Sequence, residues 1–295
     1  MGYPVEGTTL EDLQEATDVM LKAGMWVMDI NDIRGHLSRM SRGRLGQHIH
    51  GAKILCFEIW DAVGLDDITD YTEPVPIMGT PVGYDTVTFE DIGAILRKYH
   101  IEDKLPRNVA RYLLDYDPAQ ETPQTMTNDV DYYIVNTLPD SCQAALEAAE
   151  EMGIPAHVLT TYAEGESRDY GTFMASLAHE VVKNERPFRA PCFLFSAGET
   201  TTAIPDSSLI RGHGGPSQEM TAAFAVAAEG LKNVCLLSMD SEGTDGTTPV
   251  AGGLTDGTTG TAAAERGIDL RKALREHAAY EALEALGDTV LIGNT

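Results

Sequence analysis

Tyr132-Tyr-Ile-Val135, Ser141 to Met152, His157-Val-Leu-Thr160 and Gly165 to Lys183 decide how this chain is read. The first and third are short runs of β-branched and aromatic residues, whereas the second and fourth carry apolar residues at helical spacing. Strand, helix, strand, helix in that order predicts parallel strands joined by right-handed crossovers, and hence an α/β fold. Upstream, Thr9-Leu-Glu-Asp12 has the composition of a helix start, continued by Leu10, Leu13, Ala16, Met20 and Leu21 and closed at Gly24. A second helix is expected around Ile30 to Leu45, then a strand at Ile54 to Trp60. The stretch from Asp61 to Asp85, rich in proline and glycine, reads as a long loop. Helices near Thr88 to Tyr99 and Arg107 to Leu114 and a polar connector from Pro118 to Asp129 complete this half. Asn184 to Pro191, with two prolines and mixed charges, is the best linker, which divides the chain into 1–187 and 188–295.

The chain has 295 residues, enough for two α/β domains, and a hydrophobic content of 43% excludes a disordered protein. Forty-six acidic against 21 basic residues give a net charge of −25. Such a surface repels nucleic acid and anionic membranes, so neither is an expected partner. Cys56, Cys142, Cys192 and Cys235 form no CxxC pair and read as buried free thiols of a reducing compartment. The N-terminus has no basic segment followed by an apolar one, and no run of about 18 apolar residues occurs. These features predict a cytoplasmic protein. They leave open whether it forms a homodimer.

The last hundred residues hold three glycine-rich turns after apolar runs: Ser196-Ala-Gly-Glu-Thr-Thr201, Gly212-His-Gly-Gly-Pro-Ser-Gln-Glu219 and Asp240-Ser-Glu-Gly-Thr-Asp-Gly246. Loops outside strand ends with free N–H groups at a helix start suit phosphate. In the first turn Glu199 and Thr200 are candidates, as is Asn136 at the end of the 132–135 strand. In the second, Gly212, Gly214 and Gly215 could cradle a phosphate while Gln218 and Glu219 point back from the first helical turn. Asp240, Glu242 and Asp245 share one short loop, and carboxylates beside waters suit magnesium. Each of these turns can equally be a plain connection stabilised by local hydrogen bonds.

The basic cluster is Arg34, Arg39, Arg42 and Arg44, with His36, His48 and His50. On one continuous helix Arg34 and Ser38 would share a face, as would Ser38 and Arg42, so that guanidinium and hydroxyl donors meet a small carboxylate or phosphate. Arg34, Ser38 and Arg39 are therefore the candidate substrate-binding and catalytic residues; a surface helix paired with neighbouring acids is the alternative. Two nucleotide signatures fail. Gly46 to Lys53 lacks the Gly-Lys-Ser/Thr ending of a phosphate-binding loop, and Ser217 stands where a dinucleotide fingerprint needs its third glycine.

Gly198-Glu-Thr-Thr201, the 212–219 and 240–246 turns, Ala251-Gly-Gly253, Thr255-Asp-Gly-Thr-Thr259, Leu283-Glu-Ala-Leu-Gly-Asp288 and Gly293-Asn-Thr295, in this order, resemble the C-terminal MOFRL domain of the type II glycerate kinases. Glu6-Gly-Thr-Thr-Leu-Glu-Asp12, the 30–39 segment, Thr88-Phe-Glu-Asp91, Glu121-Thr-Pro123 and Glu164-Gly-Glu-Ser-Arg168 resemble landmarks of the same family's larger domain. The resemblance implies a Rossmann-like parallel-sheet domain followed by a smaller α/β MOFRL domain, with the active site in a cleft between them. It further implies phosphorylation of D-glycerate at the 2-hydroxyl with ATP and Mg2+, and nucleotide- or substrate-facing residues around the Gly212 turn. This chain departs from the pattern in several places. Pro216 and Ser217 stand in for the usual arginine and asparagine, Ser41-Arg42 for the family's lysine and glycine, and Gly35 for a lysine. Met1 aligns inside the family pattern, so its opening strand and a final C-terminal strand are expected to be missing. A relative that binds anions or nucleotide without phosphoryl transfer, and a hydroxypyruvate-type reductase, are the alternative functions.

Overall fold

The computed structural model describes residues 3–61, 63–64, 80–126, 128–204 and 207–295, so most of the expected 61–85 loop lies outside the described residues. The chain forms two compact units, the first built from residues 3–59 and 80–135 and the second from 136–295. The 184–191 connector therefore lies within the second unit.

In the first unit, α1 (Leu10–Lys22) starts in a reciprocal Thr9–Asp12 capping box, and α4 (Phe89–Tyr99) starts in another made by Thr88 and Asp91. Between them come α2 (Val27–His36), α3 (Arg44–Gln47) and strand β1 (Ile54–Trp60); α5 (Arg107–Leu114) follows α4. The apolar spacing seen in the sequence becomes a single core of Ala16, Met20, Ile33, Leu37, Phe89, Ile92, Leu96, Val109 and Leu113. The expected helix over 30–45 is broken. α2 ends at His36, and Arg42 and Gly43 both take left-handed backbone before α3 begins. β1 pairs with β2 (Val130–Thr137), and Leu55, Phe57, Ile59, Tyr133 and Val135 are exposed apolar side chains of this pair.

Asp29 of α2, nearly buried, accepts hydrogen bonds from Lys98 Nζ at 2.8 Å and Tyr99 Oη at 2.7 Å at the end of α4. Burial would raise this carboxyl, but the Lys98 and Tyr99 bonds outweigh it, and its pKa falls below the usual range. Its contribution is therefore present above about pH 3.9, the unfolded value, and is lost as pH falls through the lower folded value. Asp29→Asn is expected to cost about 1 kcal/mol at pH 7 in urea titrations, with the difference closing in acid.

The second unit contains α6 (Leu138–Glu151), then β3 (Ala156–Glu166), α7 (Ser167–Asn184) and β4 (Phe193–Thr201). β3 and β4 are parallel, so the crossover unit is β3-α7-β4, and the 132–135 strand pairs with β1 instead of joining β3. β5 (Cys235–Met239), β6 (Gly252–Asp256) and β7 (Thr289–Val290) form an antiparallel sheet, with α9 (Thr259–Glu265), α10 (Leu270–Arg275) and α11 (Ala279–Leu286) between β6 and β7. At the centre lies α8 (Pro216–Ala227), buried continuously from Gln218 to Ala225, as a helix apolar on nearly all sides must be. A Cβ on Gly171 of α7 would meet the Met220 carbonyl oxygen of α8 at 2.1 Å, so these backbones touch. Gly171→Ala should separate them and cost about 1–3 kcal/mol, read as a lower urea midpoint at unchanged slope. All four cysteines are free; Cys142 is buried, Cys56 and Cys192 are half-buried, and Cys235, against expectation, is exposed because its side of edge strand β5 is uncovered. Among the described residues no helix is long and apolar enough to cross a membrane.

Candidate functional site

The basic cluster divides into two structural and two exposed arginines. Arg42 is buried and bridges Asp85, with Nη1 to Oδ1 at 2.6 Å, and Asp32 through Nη2. Arg44 is equally buried and donates to the carbonyl oxygens of His36 at 2.8 Å, Ser38 at 2.7 Å and Gln120 at 2.9 Å. Neither guanidinium can meet a ligand. Since α2 stops at His36, Ser38 does not share a helical face with Arg34 or Arg42; it is buried, and its Oγ accepts from Met40 N at 3.2 Å. Arg34 and Arg39 remain at the surface, Arg39 lying over the Tyr3 ring at 4.9 Å.

His36 lies fully buried beside this network. Its Nδ1 is 3.0 Å from the Asp32 carbonyl oxygen, one helical turn back, which assigns the proton to Nδ1. Burial pushes its pKa down. Nε2 then stands 3.6 Å from Glu121 Oε1 and 3.9 Å from Asp85 Oδ2, close to both and hydrogen-bonded to neither.

In the second unit, Glu199 and Thr200 are not in a turn. They lie within β4, paired in parallel with Glu164 and Gly165 of β3. A strand partner has overridden the local turn signal, because the ladder supplies the hydrogen bonds that a turn would otherwise have made. Asn136 ends β2, where its Nδ2 donates to Ser141 Oγ at 2.9 Å in the first turn of α6.

The Gly212 turn does lead into a helix start, as expected. Its anion positions, however, are filled by the protein's own carboxylates. Asp245, 1% exposed, accepts from Ser217 N at 3.2 Å through Oδ1, and from Gln218 N at 2.8 Å and Gln218 Nε2 at 2.9 Å through Oδ2. Glu281 accepts from His213 N at 3.0 Å with both oxygens and lies 2.8 Å from His213 Nδ1. Burial would raise Glu281, but these His213 bonds outweigh it and lower its pKa. The Asp245 carboxyl moves the other way, because burial exceeds the help of its three donors. Close approach explains the glycines here: a Cβ on Gly215 would strike Asp245 Oδ1 at 2.3 Å, and one on Gly246 the Gly214 carbonyl oxygen at 2.1 Å. The loops 212–215 and 240–246 are thus pressed together at Gly215 and Gly246.

Gln218 is wholly buried and donates to Asp245 and to Thr248 Oγ1 at 2.9 Å. Asp245 is committed as a helix cap, Asp240 Oδ1 accepts from Glu242 N at 2.8 Å within the turn, and Glu242 is exposed. Among the described residues no group of three acids, histidines or cysteines is placed to hold a metal ion.

Glu219 does not point back toward the turn either. It is buried between His277, whose Nδ1 is 2.9 Å from Oε1, and Arg168, whose Nε donates to Oε2. Arg168 Nη2 is also 2.7 Å from His277 Nδ1. In sequence Arg168 stood out as the end of the Glu164–Arg168 landmark, and His277, in the α10–α11 connection, gave no signal. The two lie 109 positions apart.

A mixed α/β protein with polar loops at strand ends and helix starts is the class that fold and site define. The MOFRL family model matches residues 192–295, and a domain of unknown function, DUF4147, matches residues 1–114. The chain is 37% identical to a glycerate 2-kinase of Pyrococcus horikoshii, across 99% of this chain and 64% of that protein. The crystal structure of the Thermotoga maritima glycerate kinase superposes with a TM-score of 0.75 at 33% identity, over 99% of this chain and 66% of that one. An Agrobacterium vitis protein to which hydroxypyruvate reductase activity is provisionally ascribed is 30% identical, over 99% of this chain and 72% of its own length. The chain belongs to the MOFRL-containing glycerate 2-kinase family. It spans less than two thirds of the length of the Pyrococcus relative.

Proposed function

We propose that this chain takes part in phosphoryl transfer from ATP to the 2-hydroxyl of D-glycerate, giving 2-phosphoglycerate. The observation that carries this reading is the 37% identity to a glycerate 2-kinase over 99% of the chain. Phosphoryl transfer asks for positioning and charge neutralisation more than for a nucleophilic side chain. The exposed guanidiniums of Arg34 and Arg39 suit the glycerate carboxylate.

The test is ADP formation by the purified chain with Mg-ATP, with and without D-glycerate, the product being identified by phosphorus NMR. Glycerate-dependent ADP and 2-phosphoglycerate are expected; a folded sample without turnover would overturn the reading. Within an active protein, Arg34→Ala should raise KM for glycerate about tenfold with a smaller change in kcat, as loss of a ground-state charge contact does.

The Agrobacterium relative gives a second reading, hydroxypyruvate reduction. Asp245 on the α8 N-terminus and Ser217 in the glycine fingerprint leave that helix unsuited to a dinucleotide pyrophosphate. Oxidation of NADH by hydroxypyruvate in the same preparation would reinstate it.

A further inference from the structure

We propose that Arg168 binds a phosphoryl group, its guanidinium being held at Nε by Glu219 while its Nη edge is left for the ligand. The choice of a phosphoryl group rests on the kinase reading; the free edge rests on geometry within the second unit.

The argument starts from hydrogen-bond capacity around one nitrogen. His277 Nδ1 lies 2.9 Å from Glu219 Oε1 and 2.7 Å from Arg168 Nη2. A ring nitrogen either carries a proton and donates or lacks one and accepts; it cannot do both. Glu219 is a buried carboxylate, an acceptor only, and an imidazole N–H given to it is a charge-assisted bond. Arg168 is a donor at every position. With Nδ1–H committed to Glu219, Arg168 Nη2 faces a donor. The other ring nitrogen, 3.4 Å from the same Nη2, is too far for a good bond.

Arg168 Nη1 has no hydrogen-bond acceptor among the described residues. The guanidinium is thus fixed along one side by Glu219 Oε2; at its Nη end, Nη2 lies against His277 Nδ1 at 2.7 Å and Nη1 is the donor left for a phosphate oxygen. The side chain is 27% exposed.

The surroundings fit a small oxyanion. Arg168 stands in the first turn of α7, directly after the carboxyl end of β3, where open α/β sheets present ligands. The hydroxyls of Ser167, the residue before it, and Thr202 lie 3.4 Å apart. The charged groups facing Arg168 are Glu219 from α8 and Glu166 at the end of β3, 3.8 Å from Nε, with His277 from the α10–α11 connection. Glu166 Oε2 accepts from Ala203 N at 2.8 Å and is turned toward that loop. Two carboxylates beside one guanidinium weaken its hold on an anion.

The full chain, labelled with nitrogen-15, tests this by NMR of the Arg168 Nε–H and His277 ring resonances. Titration with inorganic phosphate, and with ATP without metal, is expected to shift both; D-glycerate alone is expected to shift neither. Arg168→Gln should raise the apparent Kd for phosphate at least tenfold. Phosphate binding unchanged in Arg168→Gln, or the absence of shifts at Arg168 in the wild-type chain, would overturn the proposal. So would shifts caused by D-glycerate and not by phosphate, which would make the ligand a carboxylate. The wild-type titration stands even where the variant fails to fold. Kinase turnover undiminished in Arg168→Gln would sink this assignment and leave the kinase reading intact; phosphate shifts at Arg168 without any glycerate-dependent ADP would do the reverse.

Discussion

Asp245→Ala is expected to lower the stability of the second unit by about 3 kcal/mol, seen as a lower urea midpoint. Among the described residues the carboxylate is the one side chain that caps α8, and caps are worth about 1 kcal/mol each. Its removal also strands Ser217 N and Gln218 N, while Gln218 Nε2 keeps Thr248 Oγ1, and each buried donor left unpaired costs about 1–3 kcal/mol. Relief from burying a charge offsets part of this sum. Asp245→Asn separates charge from geometry. The amide oxygen still accepts from the helix, but its NH2 faces Gln218 Nε2, so a loss of about 1–2 kcal/mol is expected at pH 7.

The pH dependence of that difference has a definite sign. Burial raises the Asp245 pKa in the folded state, so the folded protein binds this proton more tightly than the unfolded chain. The associated stability is fully present below about pH 3.9, the unfolded value, and is lost as pH rises through the higher folded value. Wild type should gain on Asp245→Asn as pH falls from 7 toward 4. A gap that narrows in acid would show that the carboxylate is better stabilised in the fold than in water.

The second large effect is expected at Arg42. Arg42→Ala leaves Asp85, 3% exposed, without its cation and frees Asp32 as well. Breaking a buried pair by deleting one partner typically costs 3–5 kcal/mol, because the other charge stays buried alone. Loss of about that size in the first unit is expected, with Arg42→Ala/Asp85→Asn recovering part of it. Arg42 also has φ +53°, so Arg42→Gly should be about 1 kcal/mol less damaging than Arg42→Ala, since glycine carries no left-handed penalty. Equal losses for glycine and alanine would mean that the backbone turn is not strained.

Most helices could be read from the chain because their signals are local. Thr9 with Asp12 announced α1, α4 lies where a helix near Thr88 to Tyr99 was expected, and the apolar spacing of Ala16 and Met20 pointed inward as expected. Misreadings fell where a distant partner decided. Gly198-Glu199-Thr200 has turn composition, yet β3 supplies a parallel ladder and makes it strand. The 30–45 segment has helical spacing, yet the ion pairs of Arg42 with Asp32 and Asp85 hold the chain in a left-handed bend.

The site divides along the same line. Arg34, Arg39, the Gly212 turn and the acidic loop were all visible as residue types at suggestive spacings. Sequence could not show that Asp245 and Glu281 already occupy the anion positions of that turn, 27 and 68 residues away from their donors. Nor could it join Arg168, Glu219 and His277 from three separate elements.

What the sequence by itself determined is therefore the α/β class, the helix starts and the family, since capping, periodicity and ordered motifs are short-range properties of the chain. What only the tertiary structure decided is which charges are spent inside the protein and which stay open to a ligand. A carboxylate or guanidinium has the same composition in both roles; its burial and partners distinguish them, and those come from residues far apart in sequence.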